Sequence, residues 1–104
     1  MFGRLLRRDV SPEKLPGIVA PIAERHGVKR VWLFGSRARG DHDRDSDYDF
    51  CILMEKGSSL LDVVAFSNEL EETLGKNVDI AYENHMSDRF RQRVERDRLL
   101  IYEA

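Results

Sequence analysis

Two strand-like runs, VKRVWLF (28–34) and YDFCILM (48–54), are joined by residues 35–47 with no long helix between them. A passage of that kind permits the two strands to pair antiparallel. The first run is rich in β-branched and aromatic residues and stops at Gly35. The second is apolar on both faces beyond Asp49, the pattern of a strand with neighbours on either side. Whatever else the chain builds must grow around this pair.

The flanking segments have helical periods. Leu15, Ile18, Val19 and Ile22 share one face of a helix over 15–26, closed by Gly27. Pro16 suits a first turn, whereas Pro21 is expected to kink or shorten that helix. Gly57-Ser58-Ser59 breaks the chain and offers an N-cap. Leu60, Val63, Phe66, Leu70 and Leu74 then trace one face of a helix that stops at Gly75. NVDIAY (77–82) reads as a short third strand, and Ser87 as the cap of a last helix with Phe90 and Val94 inward. Five arginines (Arg89, Arg91, Arg93, Arg96, Arg98) should face mostly outward from it, and LLIYE (99–103) is a terminal strand or a loose tail. This order indicates an α/β or α+β domain with a small mixed sheet flanked by helices. The 104 residues suit one domain, with 1–10 loosely ordered.

Charge narrows the possible roles. Seventeen basic and nineteen acidic residues give a net charge of −2, unlike the basic excess of a general nucleic-acid binder. Cys51 is the only cysteine, which rules out an internal disulfide and a Cys-based zinc site. No apolar run is long enough to span a membrane, and the first ten residues lack an apolar signal-type core. A cytoplasmic location without membrane contact is the default expectation.

The stretch LFGSRARGDHDRDSDYDFCIL (33–53) is not explained by packing. Asp41, Asp43, Asp45, Asp47 and Asp49 occupy alternate positions behind a Gly-Ser pair. Side chains two apart on a strand share a face, so Asp47 and Asp49 present paired carboxylates. Such a pair repels unless one takes a proton or a cation sits between them, and Mg²⁺ prefers oxygen ligands. Asp79 lies opposite the apolar Val78, Ile80 and Tyr82, and joins the pair if the third strand lies beside 48–54. Three carboxylates on adjacent strands could hold two metal ions roughly 3.5–4 Å apart, an arrangement suited to in-line displacement at phosphorus. Gly35 and Ser36, opening a short helical turn over 36–39, would turn backbone N–H groups and a hydroxyl toward a phosphate. Arg37 and Arg39 add charge beside it, with one facing the site; Arg39 is the candidate.

Blander readings apply nearby. Asp41, Asp43 and Asp45 fall in a loop as solvated carboxylates, His42 reads as a surface residue, and Trp32 and Cys51 as sheet packing. Gly35-x4-Gly40 begins like a P-loop, but Asp41-His42 stands where Lys-Ser/Thr is required. An EF-hand starting at Asp41 or Asp43 lacks its glycine and glutamate.

Gly35-Ser36, ten residues, then Asp47-x-Asp49 resembles the signature of the DNA polymerase β-like nucleotidyltransferase superfamily. The wider string GSRARG…SDYD is similar to the minimal nucleotidyltransferases (MNT domains) of prokaryotes, and the resemblance runs from residue 28 to Tyr102. It implies that Gly35 and Ser36 bind a nucleoside triphosphate. It also implies that Asp47, Asp49 and Asp79 carry Mg²⁺, or Mn²⁺, with Asp79 serving the attacking hydroxyl. The implied reaction moves AMP from ATP and releases pyrophosphate. The implied partner is a HEPN-domain toxin, adenylylated on a tyrosine by an MNT antitoxin. Two alternatives stay open: a non-catalytic antitoxin that neutralises by binding, and a transferase acting on a small molecule or an RNA end.

Overall fold

The computed structural model describes residues 10–82, 89, 92 and 96–104. Helix α1 spans Leu15–Arg25, strand β1 Val28–Phe34 and the one-turn helix α2 Ser36–Arg39. Strand β2 covers Tyr48–Met54, helix α3 Leu60–Leu74, β3 Val78–Tyr82 and β4 Leu99–Glu103. The sheet order is β3-β2-β1-β4. β1 pairs antiparallel with β2 and with β4, and β2 pairs parallel with β3. The sheet is therefore mixed, β2 is internal, and LLIYE is a strand rather than a tail.

The two faces of the sheet have different tasks. One carries Val31, Leu33, Tyr48, Phe50, Ile52 and Val78 into a core with Leu15, Val19 and Ile22 of α1 and Phe66, Leu70 and Leu74 of α3. Tyr82 and Tyr102 pack against the same core. The other face carries a smaller cluster of Trp32 and Cys51, with Phe34, Leu53 and Ala81 beside them. Strand alternation sends Asp49 and Asp79 to this second face. The large core thus fixes the strands from behind, while Asp49, half-buried, and Asp79, exposed, belong to the other face.

Helix α3 begins where Ser59 donates its N–H to Asp62 Oδ2 at 2.8 Å, a capping box with aspartate as the reciprocal acceptor. It ends at Gly75, whose φ of 68° closes the last turn. Glu69 of α3 pairs with Arg25, and its Oε1 lies 2.7 Å from His26 Nε2, tying α3 to the end of α1. The Arg25 guanidinium holds the Glu69 carboxyl below its ordinary range.

Three expectations are corrected. Helix α1 is not shortened at Pro21 but continues to Arg25. The missing hydrogen bond would have gone to the carbonyl of Gly17; both residues face solvent, and no other atoms crowd the Gly17 Cα. Leu60, placed on the inward face of α3 by its spacing, is 70% exposed, because it stands in the first turn beyond the edge of the core. Arg98 is not a solvated outward arginine: its guanidinium lies 4.4 Å from the centre of the Trp32 ring. Arg89 and Arg96 are exposed and helical. Ser87, Phe90, Arg91, Arg93 and Val94, invoked for the last helix, lie outside the described residues.

These burials separate two leucines of one helix. Leu70→Ala, at a fully buried site, is expected to destabilise the fold by about 2–5 kcal/mol, whereas Leu61→Ala, at a site 78% exposed, changes it by less than about 0.5 kcal/mol. Urea unfolding of the two variants checks both.

Candidate active site

Strand register assembles the site. Asp49 of β2 lies opposite Phe34 of β1 on one side and Asp79 of β3 on the other. The parallel pairing therefore brings together two carboxylates thirty positions apart in sequence. Asp47, just before β2, is exposed, and so is Asp79; Asp49 is half-buried between them. Burial pushes the Asp49 carboxyl up to about 6, with the negative charge of Asp79, a hydrogen bond to it and the charge of Asp47 acting in the same direction. Arg39 pulls it the other way.

Gly35 meets this group from β1. Its φ is 74°, a conformation that side chains rarely adopt. A Cβ there would collide with Asp49 Oδ2 and lie 3.2 Å from Asp49 Cγ. Glycine thus serves two needs at once: it turns the chain into α2 and lets the carboxylate rest against the backbone. The turn that follows is closed by Gly40, which donates its N–H to Ser36 O at 2.8 Å. Gly35 is accordingly placed against Asp49, and Ser36 follows it as the first residue of α2.

The two arginines of the turn diverge. Arg39 is exposed, and its Nε lies 3.2 Å from Asp41 Oδ2 and its Nη1 3.4 Å from Asp97 Oδ2. Arg37 is 3% exposed, donates from Nε (3.0 Å) and Nη2 (2.7 Å) to Ser46 O, and stacks 4.1 Å above the Tyr48 ring. The loop between is equally ordered by its own side chains. Asp43 N–H donates to Ser46 Oγ at 3.0 Å, and Asp45 N–H to Asp43 Oδ1 at 2.8 Å. Asp43 is therefore a turn-former, not simply a solvated carboxylate.

His42 is another correction. It is half-buried and lines a cavity of about 230 Å³ with Val10, Leu15, Leu33 and Tyr48, because the loop folds back over the edge of the core. On the other side of Asp47 an open cleft of about 430 Å³ is bounded by Asp45, Asp47, Glu71, Lys76 and Asn77. Glu71 reaches it from α3 while accepting the Val78 N–H at 2.9 Å. Sequence spacing gave no sign of this lining, which comes from the turn between α3 and β3.

The donor set suits a hard divalent cation: carboxylate oxygens alone, with Asp49 raised by burial first and by its acidic neighbours second. Among the described residues no three acidic or histidine side chains are already gathered in metal-binding geometry. The register brings Asp49 and Asp79 level, and Asp47 stands near enough to act on Asp49 through its charge. A cation in their midst would relieve the repulsion that raises Asp49.

Comparisons with known proteins identify the family and the fold. Residues 18–104 match the family model for polymerase β-type nucleotidyltransferases. A Methanocaldococcus jannaschii protein, named as a candidate protein adenylyltransferase, is 42% identical over 76 residues, covering 73% of this chain and 82% of that protein. The solved structure of a candidate minimal nucleotidyltransferase has a TM-score of 0.74 at 38% identity, covering 86% of this chain and 95% of the other. The MNT antitoxin–HEPN toxin structure from Shewanella oneidensis, whose toxin is tri-AMPylated, gives a TM-score of 0.67 at 15% identity, with 89% and 73% covered. At that identity the likeness is one of fold. No helix among the described residues is long and apolar enough to cross a membrane.

The raised Asp49 makes a prediction about stability. Its folded value lies above its unfolded one, so the native state binds more protons between about pH 4 and 6. The penalty for ionising it is complete above about pH 6 and disappears as pH falls below 4. Asp49→Asn should therefore stabilise the metal-free protein by about 1 kcal/mol at pH 7.5, a figure discounted for the half-exposed setting. The gain should be absent near pH 3.5, which urea unfolding in EDTA at the two pH values would show.

Proposed function

The chain belongs to the polymerase β-type nucleotidyltransferases, and from that premise we propose that it transfers AMP from ATP to a protein hydroxyl. The acceptor in this reading is a tyrosine of a HEPN-domain partner, and the chain acts as the antitoxin of the pair. The observation that carries it is the contact of Gly35 with Asp49 at the level of Asp79. It sets the backbone turn at Gly35-Ser36 against carboxylates suited to metal-assisted transfer. The likeness in sequence to a candidate protein adenylyltransferase, and in fold to an MNT antitoxin on an AMPylated toxin, supports the choice of acceptor.

In this mechanism Gly35 and Ser36 seat the triphosphate, and Arg39 contributes positive charge beside it. The acceptor oxygen bonds to the α-phosphorus while the bond from that phosphorus to the bridging oxygen breaks, and pyrophosphate leaves. The acceptor proton passes to Asp79, whose exposure lets a partner's side chain approach. Asp47, Asp49 and Asp79 would hold Mg²⁺, two ions in the full arrangement with Mn²⁺ as a substitute, supplying charge neutralisation at the α-phosphate and leaving group. Holding the reactants in line and neutralising that charge account for most of the acceleration.

Intact-mass spectrometry of a HEPN-domain protein encoded beside this chain, after incubation with the chain, ATP and Mg²⁺, tests the proposal. The expected result is a gain of one or more AMP units that disappears with Asp47→Asn. A stable complex without any gain would replace catalysis by neutralisation through binding. Transfer to RNA or a small molecule with no partner present would replace the acceptor.

Gly35→Ala gives a second test. The added methyl displaces the Asp49 carboxylate, so transfer should fall by about 100-fold or more, as for a misplacement near 1 Å, in a chain that still folds. Transfer rate and circular dichroism of the variant report the two parts separately.

A further inference from the structure

Arg37 is a cation at a site where burial is nearly complete, at 3% exposure, and an apolar side chain would fill the space without the desolvation penalty. Its contacts explain what it does there. Nε and Nη2 both donate to Ser46 O, at 3.0 and 2.7 Å, and the guanidinium plane lies 4.1 Å over the Tyr48 ring. Ser46 and Tyr48 are the two neighbours of Asp47. The Ser46 carbonyl belongs to the very peptide group that supplies the Asp47 N–H.

The other end of this arginine is anchored in α2, one residue after Ser36. A single side chain thus spans from the Gly35-Ser36 turn to both sides of Asp47. The loop between contributes its own ties through Asp43 and Ser46, which leaves the Ser46 carbonyl turned toward Arg37. Asp49 needs no such device, because β1 and β3 hold it by register on both sides. Asp47 lies outside β2 and, among the described residues, has no strand partner to place it.

We propose that Arg37 is a positioning residue: it fixes Asp47 relative to the Gly35-Ser36 turn, so that carboxylate and triphosphate meet a metal ion at a set distance. This rests on the reading of the site given above. Lysine cannot replace it, since a single ammonium offers neither two donors in one plane nor a flat face for Tyr48. Removal of a group that orients a ligand typically weakens metal affinity by about 10- to 100-fold.

The test is affinity for the Mn²⁺ complex of AMP-PNP, against AMP-PNP alone, read by isothermal titration calorimetry. The full chain, Arg37→Lys, Arg37→Gln and Leu70→Ala are compared, with thermal melting of each. The proposal expects both Arg37 variants to bind the Mn²⁺ complex about 10- to 100-fold more weakly. Leu70→Ala, destabilised within the core behind the sheet, should keep the wild-type affinity. Should Arg37→Gln not fold, Arg37→Lys decides. A folded Arg37→Lys with wild-type affinity overturns the positioning role, and so does a Leu70→Ala that loses the complex equally, since the effect would then be one of stability. A wild-type chain that takes up no Mn²⁺ with AMP-PNP overturns the reading of the site itself, and the proposal with it.

Discussion

The parallel pairing of β2 with β3 sets Asp49 level with Asp79, and the electric field these two groups share governs the neighbouring choices. Asp49, the more buried, holds its proton up to about 6, through burial first and then through repulsion from Asp79. Gly35 lets that carboxylate lie against the backbone, and Arg39 softens the repulsion from the far side. None of these features is stabilising taken alone. They make sense as a local debt of free energy against which a divalent cation and a polyanion would bind.

The rest of the molecule is organised to hold that arrangement. The large core of α1, α3 and one sheet face contains no carboxylate, amine, guanidinium or imidazole among its members, and it fixes the strands from behind. The front face keeps a small apolar patch, Trp32 and Cys51, next to the acidic end. Arginine is used in two ways within three residues. Arg39 remains at the surface in ion pairs that solvent weakens, while Arg37 is buried and engages a carbonyl and a ring. The first can move when a ligand arrives; the second resists movement.

Much of this was legible in the chain, because the decisive signals are periodic. Alternation placed Asp49 and Asp79 on one face, and the apolar run of 48–54 marked β2 as internal. The position of Asp79 followed once β3 lay beside β2. What could not be read depends on neighbours in space. Leu60 has the right spacing for the core but stands beyond its edge. Pro21 breaks a helix only where its missing bond matters, and here the freed carbonyl of Gly17 faces water. Arg98 and His42 looked solvated until a tryptophan and a folded-back loop met them. Arg37 carries no periodic signature, since its burial depends on partners in space, among them the Ser46 carbonyl and the Tyr48 ring.

The pairing of β4 with β1 has a consequence for how the sheet is made. β1, β2 and β3 follow one another along the chain, with α3 as the crossover, so the acidic end can assemble from one continuous stretch. β4 must instead travel back past that whole unit to bring Leu99 opposite Leu33 and Glu103 opposite Arg30. Contacts so distant in sequence close slowly, because the loop entropy is lost before the pairing is gained. During synthesis the strands of the site therefore emerge well ahead of their lid on the β1 edge. For that interval β1 shows a bare row of backbone groups, open to any extended chain that arrives first.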